Sequence, residues 1–105
     1  MPEHCVKLYL KLSDTNYGTT AEREKIMEFE DALGDAIAAA HAGEFDGNDF
    51  GKGECILYMY GSDADKLFEA IQPVINAHPQ LTTGGYAIKR YGPPESDISE
   101  IKLNL

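Results

Sequence analysis

GEFDGNDFGKGECILYMYG, residues 43–61, is the stretch whose reading decides the fold. Cys55 to Tyr60 is dense in apolar and aromatic side chains, the composition of a strand covered on its core face. Ahead of it, Glu44 to Phe50 reads as a glycine-interrupted extended segment. Gly51-Lys52-Gly53 joins the two and supplies the positive φ of a hairpin connection. The pair is therefore a short, irregular edge strand against a central one. Glycine and charge are tolerated on an edge, where acidic side chains also discourage pairing with another chain.

Upstream, from His4 to Leu12, the residues Cys5, Lys7, Tyr9 and Lys11 alternate with Val6, Leu8, Leu10 and Leu12. A period of two marks a half-buried strand with its aliphatic set toward the core. The loop SDTNYG follows. Thr19, with Glu22 three residues on, then forms a capping box that satisfies two orphan donors of a helix. Ile26, Phe29, Leu33, Ile37 and Ala40 give Thr20 to His41 one apolar face, and Gly43 takes the role of the residue that ends the helix. Gly34 in this helix suggests a close crossing with the sheet.

Downstream, Ser62 begins a second helix, with Asp65 in a second capping box. Leu67, Phe68, Ile71, Val74 and Ile75 form its buried stripe, and Pro73 implies a kink or an early end near Gln72. HPQLTTGG reads as a loop and Gly85 to Tyr91 as a strand stopped by Pro93-Pro94. In the tail, Ile101, Leu103 and Leu105 alternate, as in a fifth, edge strand or an arm that packs on a neighbouring copy. The order is β-α-β-β-α-β, the split βαβ plan: an antiparallel sheet with two helices on one face. An unrelated α+β sandwich is the rival. Residues 1–92 form the domain and 93–105 its tail.

The chain has 105 residues, 18 acidic and 9 basic, and a formal charge of −9. An excess of that size repels nucleic acid and anionic membrane and favours a protein partner with a basic surface. No apolar run reaches the ~18 residues of a membrane span, and the start MPEHCVKL lacks the basic and apolar regions of a signal peptide. The expectation is a cytoplasmic protein. Cys5 and Cys55 lie in separate strands without ligand spacing, so small buried thiols are expected and a redox pair is the alternative.

Asp46-Gly47-Asn48-Asp49 invites a calcium reading. An EF-hand loop starting at Asp46 would find Gly51 in place but Phe50 and Leu57 where oxygen ligands are required. Turn chemistry on an acidic edge strand explains the stretch better. Gly51-Lys52-Gly53-Glu54 lacks the spacing of a phosphate loop and leads into a strand. Lys89 and Arg90, beside Tyr86 and Tyr91, are either a grip for an acidic group or ordinary edge decoration. His41 and His78 suit helix C-termini, where a cation is favourable. No catalytic constellation, metal site or cofactor site emerges, and no enzymatic activity is expected.

Two surface features stand out. Glu44, Asp46, Asp49 and Glu54 make an acidic edge suited to a basic partner. Tyr9, Tyr58 and Tyr60 occupy alternating positions of two strands, with Lys7 and Lys11 sharing the face of Tyr9. If the helices cover one face, these tyrosines line the other as amphipathic anchors for a protein, unless the tail or a second copy covers them.

The segment GEFDGNDFGKGECILYMYGSDADKLFEAI, with GGYAIKRYG after it, resembles small bacterial ferredoxin-like proteins of the regulator-of-ribonuclease-activity-B-like group. The features that match are the glycine-and-aspartate turn, the E-x-x-L-Y strand, the acidic helix cap and the F-x-x-I stripe. The resemblance implies an acidic, non-enzymatic protein that works by binding another protein, such as a ribonuclease. Acidic immunity proteins, which neutralise a cognate toxin, look similar at this level. A ligand-binding or enzymatic ferredoxin-like homodimer is the alternative from a different class.

Overall fold

The computed structural model describes residues 4–13, 18–92 and 100–105. Five strands form one antiparallel sheet in the order β2-β3-β1-β4-β5. They are β1 (His4–Lys11), β2 (Glu44–Gly51), β3 (Glu54–Gly61), β4 (Tyr86–Arg90) and β5 (Glu100–Asn104). Two long helices, α1 (Thr20–Ala39) and α2 (Ala64–Ala77), pack on one face, and a single turn, α3 (Pro79–Thr82), precedes β4. The arrangement is ferredoxin-like, with β5 added beside β4. The tail thus supplies an edge strand, and β4 is an interior strand instead of an edge. The Pro93-Pro94 stop and most of the SDTNYG loop lie outside the described residues.

The core is the layer between sheet and helices. Val6, Leu8 and Leu10 of β1 and Cys55, Leu57 and Met59 of β3 meet Ile26, Phe29, Leu33 and Ile37 of α1 and Leu67, Ile71 and Ile75 of α2. All are buried, as the period of two in the strands and of 3.6 in the helices requires. Ala40, assigned to the α1 stripe from spacing, is exposed because the helix has already reached its C-cap there. Gly34 sits in ordinary contact, 3.9 Å from Phe45 Cβ to the site of an added Cβ, so no tight crossing demands a glycine.

The helix ends are set by local chemistry. Thr19 caps α1 and Glu22 reaches back to it, so the capping box forms as read. The left-handed residue that ends α1 is His41, at φ 51°, not Gly43. Gly43 is required for another reason. The chain there passes so close to β3 that any side chain would strike the Tyr60 carbonyl. α2 is capped by Asp63, whose carboxylate accepts from the N–H groups of Asp65 and Lys66 at 2.9 and 3.3 Å, so the cap lies one residue beyond Ser62. The helix also runs through Pro73 to Ala77. One missing N–H near the C-terminus is outweighed by burying Ile75 in the same turn.

The hairpin turns through Lys52 and Gly53, both at positive φ (54° and 77°), the requirement of the tight two-residue connection. In β2 the register shifts between Phe45 and Gly47, leaving Asp46 as a bulge. The extra residue resets the alternation. Phe45 and Phe50 both turn to the core, while Glu44 and Asp49 face the other way.

Candidate functional site

The face of the sheet away from the helices is uncovered by any described element. Register places the occupants of this face in rows. Glu44, Tyr60, Cys5, Arg90 and Glu100 stand side by side across the five strands. Gly47, Tyr58, Lys7, Ile88 and Lys102 form the next row, and Asp49, Ile56, Tyr9, Tyr86 and Asn104 the third. Lys11 faces Glu54 at the hairpin end. Tyr9, Tyr58 and Tyr60 are thus brought onto one face, together with Glu44, Asp49 and Glu54. Asp46, the bulge residue, stands at the exposed margin of β2.

Across the strands the aromatic groups are organised. The Tyr9 and Tyr86 rings stack 4.4 Å apart at 12°, and Lys102 Nζ sits 4.3 Å from the centre of the Tyr86 ring. Burial raises the pKa of Tyr9 and Tyr58, with Glu54 adding to the first and Asp49 to the second, so both hydroxyls stay protonated. At the hairpin end the face deepens into a cleft of about 360 Å³ lined by Tyr9, Lys11, Lys52, Glu54 and Tyr86 among others. Sequence reasoning alone does not place Tyr86, Ile88 and Lys102 on this face, whereas Ile56 follows from its alternation with Tyr58 and Tyr60. The alternation of β4 is visible in the chain, but which set joins Tyr9 depends on cross-strand register.

A second surface lies along the flank where α1 meets β2. Asn48 Nδ2 donates to both carboxylate oxygens of Glu30, at 2.9 and 3.0 Å, tying strand to helix. Burial pushes the Glu30 carboxyl above its usual range, while the bond from Asn48 opposes the shift. Met27, 61% exposed, stands in a shallow cleft of about 310 Å³ with Glu30, Asp31 and Phe50. Arg23 and Asn48 also line this cleft; Asp46 stands at the margin of the adjoining edge strand, whereas Glu44 and Asp49 of the same strand face the open side of the sheet. Spacing on α1 does not point to Met27, because an exposed methionine on the polar face carries no periodic signal.

The remaining groups with chemical potential are committed elsewhere. Asp65, near the start of α2, accepts from Tyr91 Oη at 2.7 Å and Lys89 Nζ at 2.9 Å, and these bonds hold its carboxyl below the ordinary value. Lys89 and Arg90 therefore do not form one grip. Lys89 faces the helices, whereas Arg90 points to the other side and donates from Nε to the Gly92 carbonyl. His4 Nδ1 accepts from the Ala64 N–H at 3.0 Å, and His78 Nδ1 donates to the Val74 carbonyl at 2.8 Å.

The two thiols are buried on opposite faces of the sheet. Cys5 pairs with Tyr60 and Cys55 with Leu10 in the β1–β3 register, five residues apart along β1, which is roughly 17 Å. A disulfide needs Cα atoms within about 7 Å, so they do not form a redox pair. Burial pushes the Cys55 thiol up to about 12. Asp46 to Leu57 is an extended hairpin and does not wrap an ion. Among the described residues, no group of three or more His, Cys, Asp or Glu side chains is placed to hold a metal.

No family model matches the chain, and no curated protein or solved structure matches it either.

Proposed function

We propose that this chain is an acidic protein-binding module that docks a basic partner on the α1–β2 flank and acts as its inhibitor or regulator. The single observation that supports the reading is exposed Met27 beside Glu30 and Asp31, with exposed Asp46 at the margin of the edge strand next to them. Acidic rims steer a basic surface into encounter, and a partly exposed apolar centre gives the contact something to bury. A nuclease, whose substrate groove is basic, is the kind of partner this surface suits. An immunity-type role against a cognate toxin uses the same chemistry.

Capture with the intact protein identifies the partner, and stopped-flow association rates at low and high salt test the mechanism. Exposed charges are screened beyond a Debye length of about 8–10 Å, so association slows as salt rises. Replacing Asp46 and Asp49 together with Asn slows association more than it speeds dissociation. A rate indifferent to salt and to the double substitution rejects the reading.

A second reading rests on the cleft beside Tyr9 and Tyr86. Its volume falls within the range of small-ligand sites, and its lining combines aromatic faces with Lys11, Lys52 and Glu54. Titration of the protein with small aromatic carboxylates, followed by NMR at Tyr9 and Tyr86, separates the two readings.

A further inference from the structure

The two edges of the sheet differ. On β2 the register shifts at Asp46, and Glu44, Asp46 and Asp49 stand exposed along the strand. A bulge and charge together deter pairing with another strand. On β5 the register with β4 runs without a shift from Glu100 to Asn104. The Leu105 N–H donates to the Gly85 carbonyl at 3.1 Å, and antiparallel bonds are exchanged at every second residue. Ile101, Leu103 and Leu105 thus bond to β4, while Lys102 and Asn104 turn their N–H and C=O groups to the free edge. Lys102, the charge that would guard this edge, is folded back over the Tyr86 ring, 4.3 Å from its centre.

The apolar row of β5 is also unfinished. Ile101, Leu103 and Leu105 face the helix side, in line with Lys89, Ala87 and Gly85, yet Ile101 is 43% exposed. Further along the strand a groove of about 630 Å³ opens between β5 and the α2–α3 end, with Phe68, Ile75, Leu103 and Leu105 as its apolar wall. We infer that β5 of a second copy of this chain lies beside this β5, antiparallel to it, with Leu103 on a two-fold axis perpendicular to the sheet.

Such an axis keeps the helices of both copies on one side of a continuous sheet. Ile101 of each copy stands opposite Leu105 of the other and enters the groove beside it. One sequence thus supplies both the exposed apolar side chain and the groove that takes it, as an isologous contact requires. Lys102 stands opposite neutral Asn104 and keeps its place over Tyr86, and the free backbone groups of these two residues bond across the axis. An axis at Lys102 would set ammonium against ammonium. An axis at Ile101 would set Ile101 against its own copy and leave the groove beside Leu105 unfilled. Five residues a side give about 17 Å of paired strand, less than a standard interface, so a Kd of about 10–100 µM is expected. The inference does not rest on the partner-docking reading, since β5 lies at the opposite edge of the sheet from the α1–β2 flank.

Sedimentation equilibrium across about 5–500 µM tests it, with circular dichroism to check that each variant keeps the fold. The expected mass rises toward twice the chain's 11.5 kDa at the upper concentrations. Lys102→Pro removes an N–H that β4 does not use and leaves a monomer throughout. Ile101→Ser, at an exposed position, weakens the dimer about tenfold. Mild oxidation of Leu103→Cys gives a disulfide-linked dimer, because residues on the axis bring their Cα atoms to about 4.5 Å. Ile101→Cys, about 14 Å from its mate, gives none, and the native Cys5 and Cys55 are buried. A wild-type monomer at about 500 µM, some five times the weakest expected Kd, overturns the inference. So does a dimer that tolerates both Lys102→Pro and Ile101→Ser, or one in which Ile101→Cys crosslinks and Leu103→Cys does not.

Discussion

The two faces of the sheet are built from the same strands, yet the helices pack on only one of them. On β1, Val6, Leu8 and Leu10 lock into the helices while Lys7 and Tyr9 look outward, one residue away in each case. The core face is closed: its side chains have found their apolar neighbours within the chain. On the open face the tyrosines, Ile56 and Ile88 are only half buried. A partly apolar surface of this kind adds less to folding than the sealed core does.

The largest expected effect breaks the closed side. Phe29→Ala should cost about 3–5 kcal/mol and Leu8→Ala about 2–5, since both are fully buried and leave cavities. Lys7→Ala, on the adjacent position but the opposite face, should stay within about 0.5 kcal/mol. Urea denaturation at low protein concentration measures all three. Equal costs at Leu8 and Lys7 would mean that the faces are wrongly assigned.

The cysteines repeat the comparison in alkali. The folded Cys55 thiol is raised from an ordinary 9.0 to about 12, with Glu30 and Asp49 adding to the effect of burial. The unfolded chain therefore releases this proton first. The stability that Cys55 contributes is complete below pH 9 and lost as pH rises toward 12, about 2 kcal/mol of it by pH 10.5. Relative to Cys55→Val, the wild type should lose that amount more between pH 8 and 10.5. Cys5 is also raised by burial, but Arg90 and Lys7 on the open face pull it back. Iodoacetamide labelling with mass spectrometry should find Cys5 modified before Cys55.

A smaller effect sharpens the assignment of the α2 cap. Asp63→Ala removes the acceptor for two backbone N–H groups and should cost about 1 kcal/mol, while Ser62→Ala should cost almost nothing. Thermal unfolding of the pair distinguishes them. The smallest effect belongs to the flank: Asp46→Asn with Asp49→Asn should move stability by no more than about 0.5 kcal/mol, as exposed carboxylates do. A larger loss would make these acids part of the folding machinery and weaken their assignment to binding.

Much of this molecule is legible residue by residue. The alternation of β1, the stripes of α1 and α2, the box at Thr19 and Glu22 and the turn at Lys52-Gly53 rest on interactions a few residues long, so the chain states them locally. They suffice for the split βαβ plan, because the hairpin and the two helices leave few ways to close one antiparallel sheet. The acidic edge and the tyrosines can also be named in advance, since their residue types are visible without a structure.

Other features depend on contacts between distant segments. Strict alternation through β2 would turn Phe50 outward, and only pairing with β3 reveals the bulge at Asp46 that turns it inward. His41, not Gly43, takes the left-handed position, and Gly43 is needed where the chain presses on Tyr60, a constraint set by a strand that follows it. Tyr86 and Lys102 join Tyr9 through register with β4 and β5, and a single strand carries no record of its register. Sequence by itself determined the elements and the supply of aromatic and charged side chains. Tertiary structure decided which of them share a face, because that choice is made by cross-strand pairing and by the helices that cover only one side.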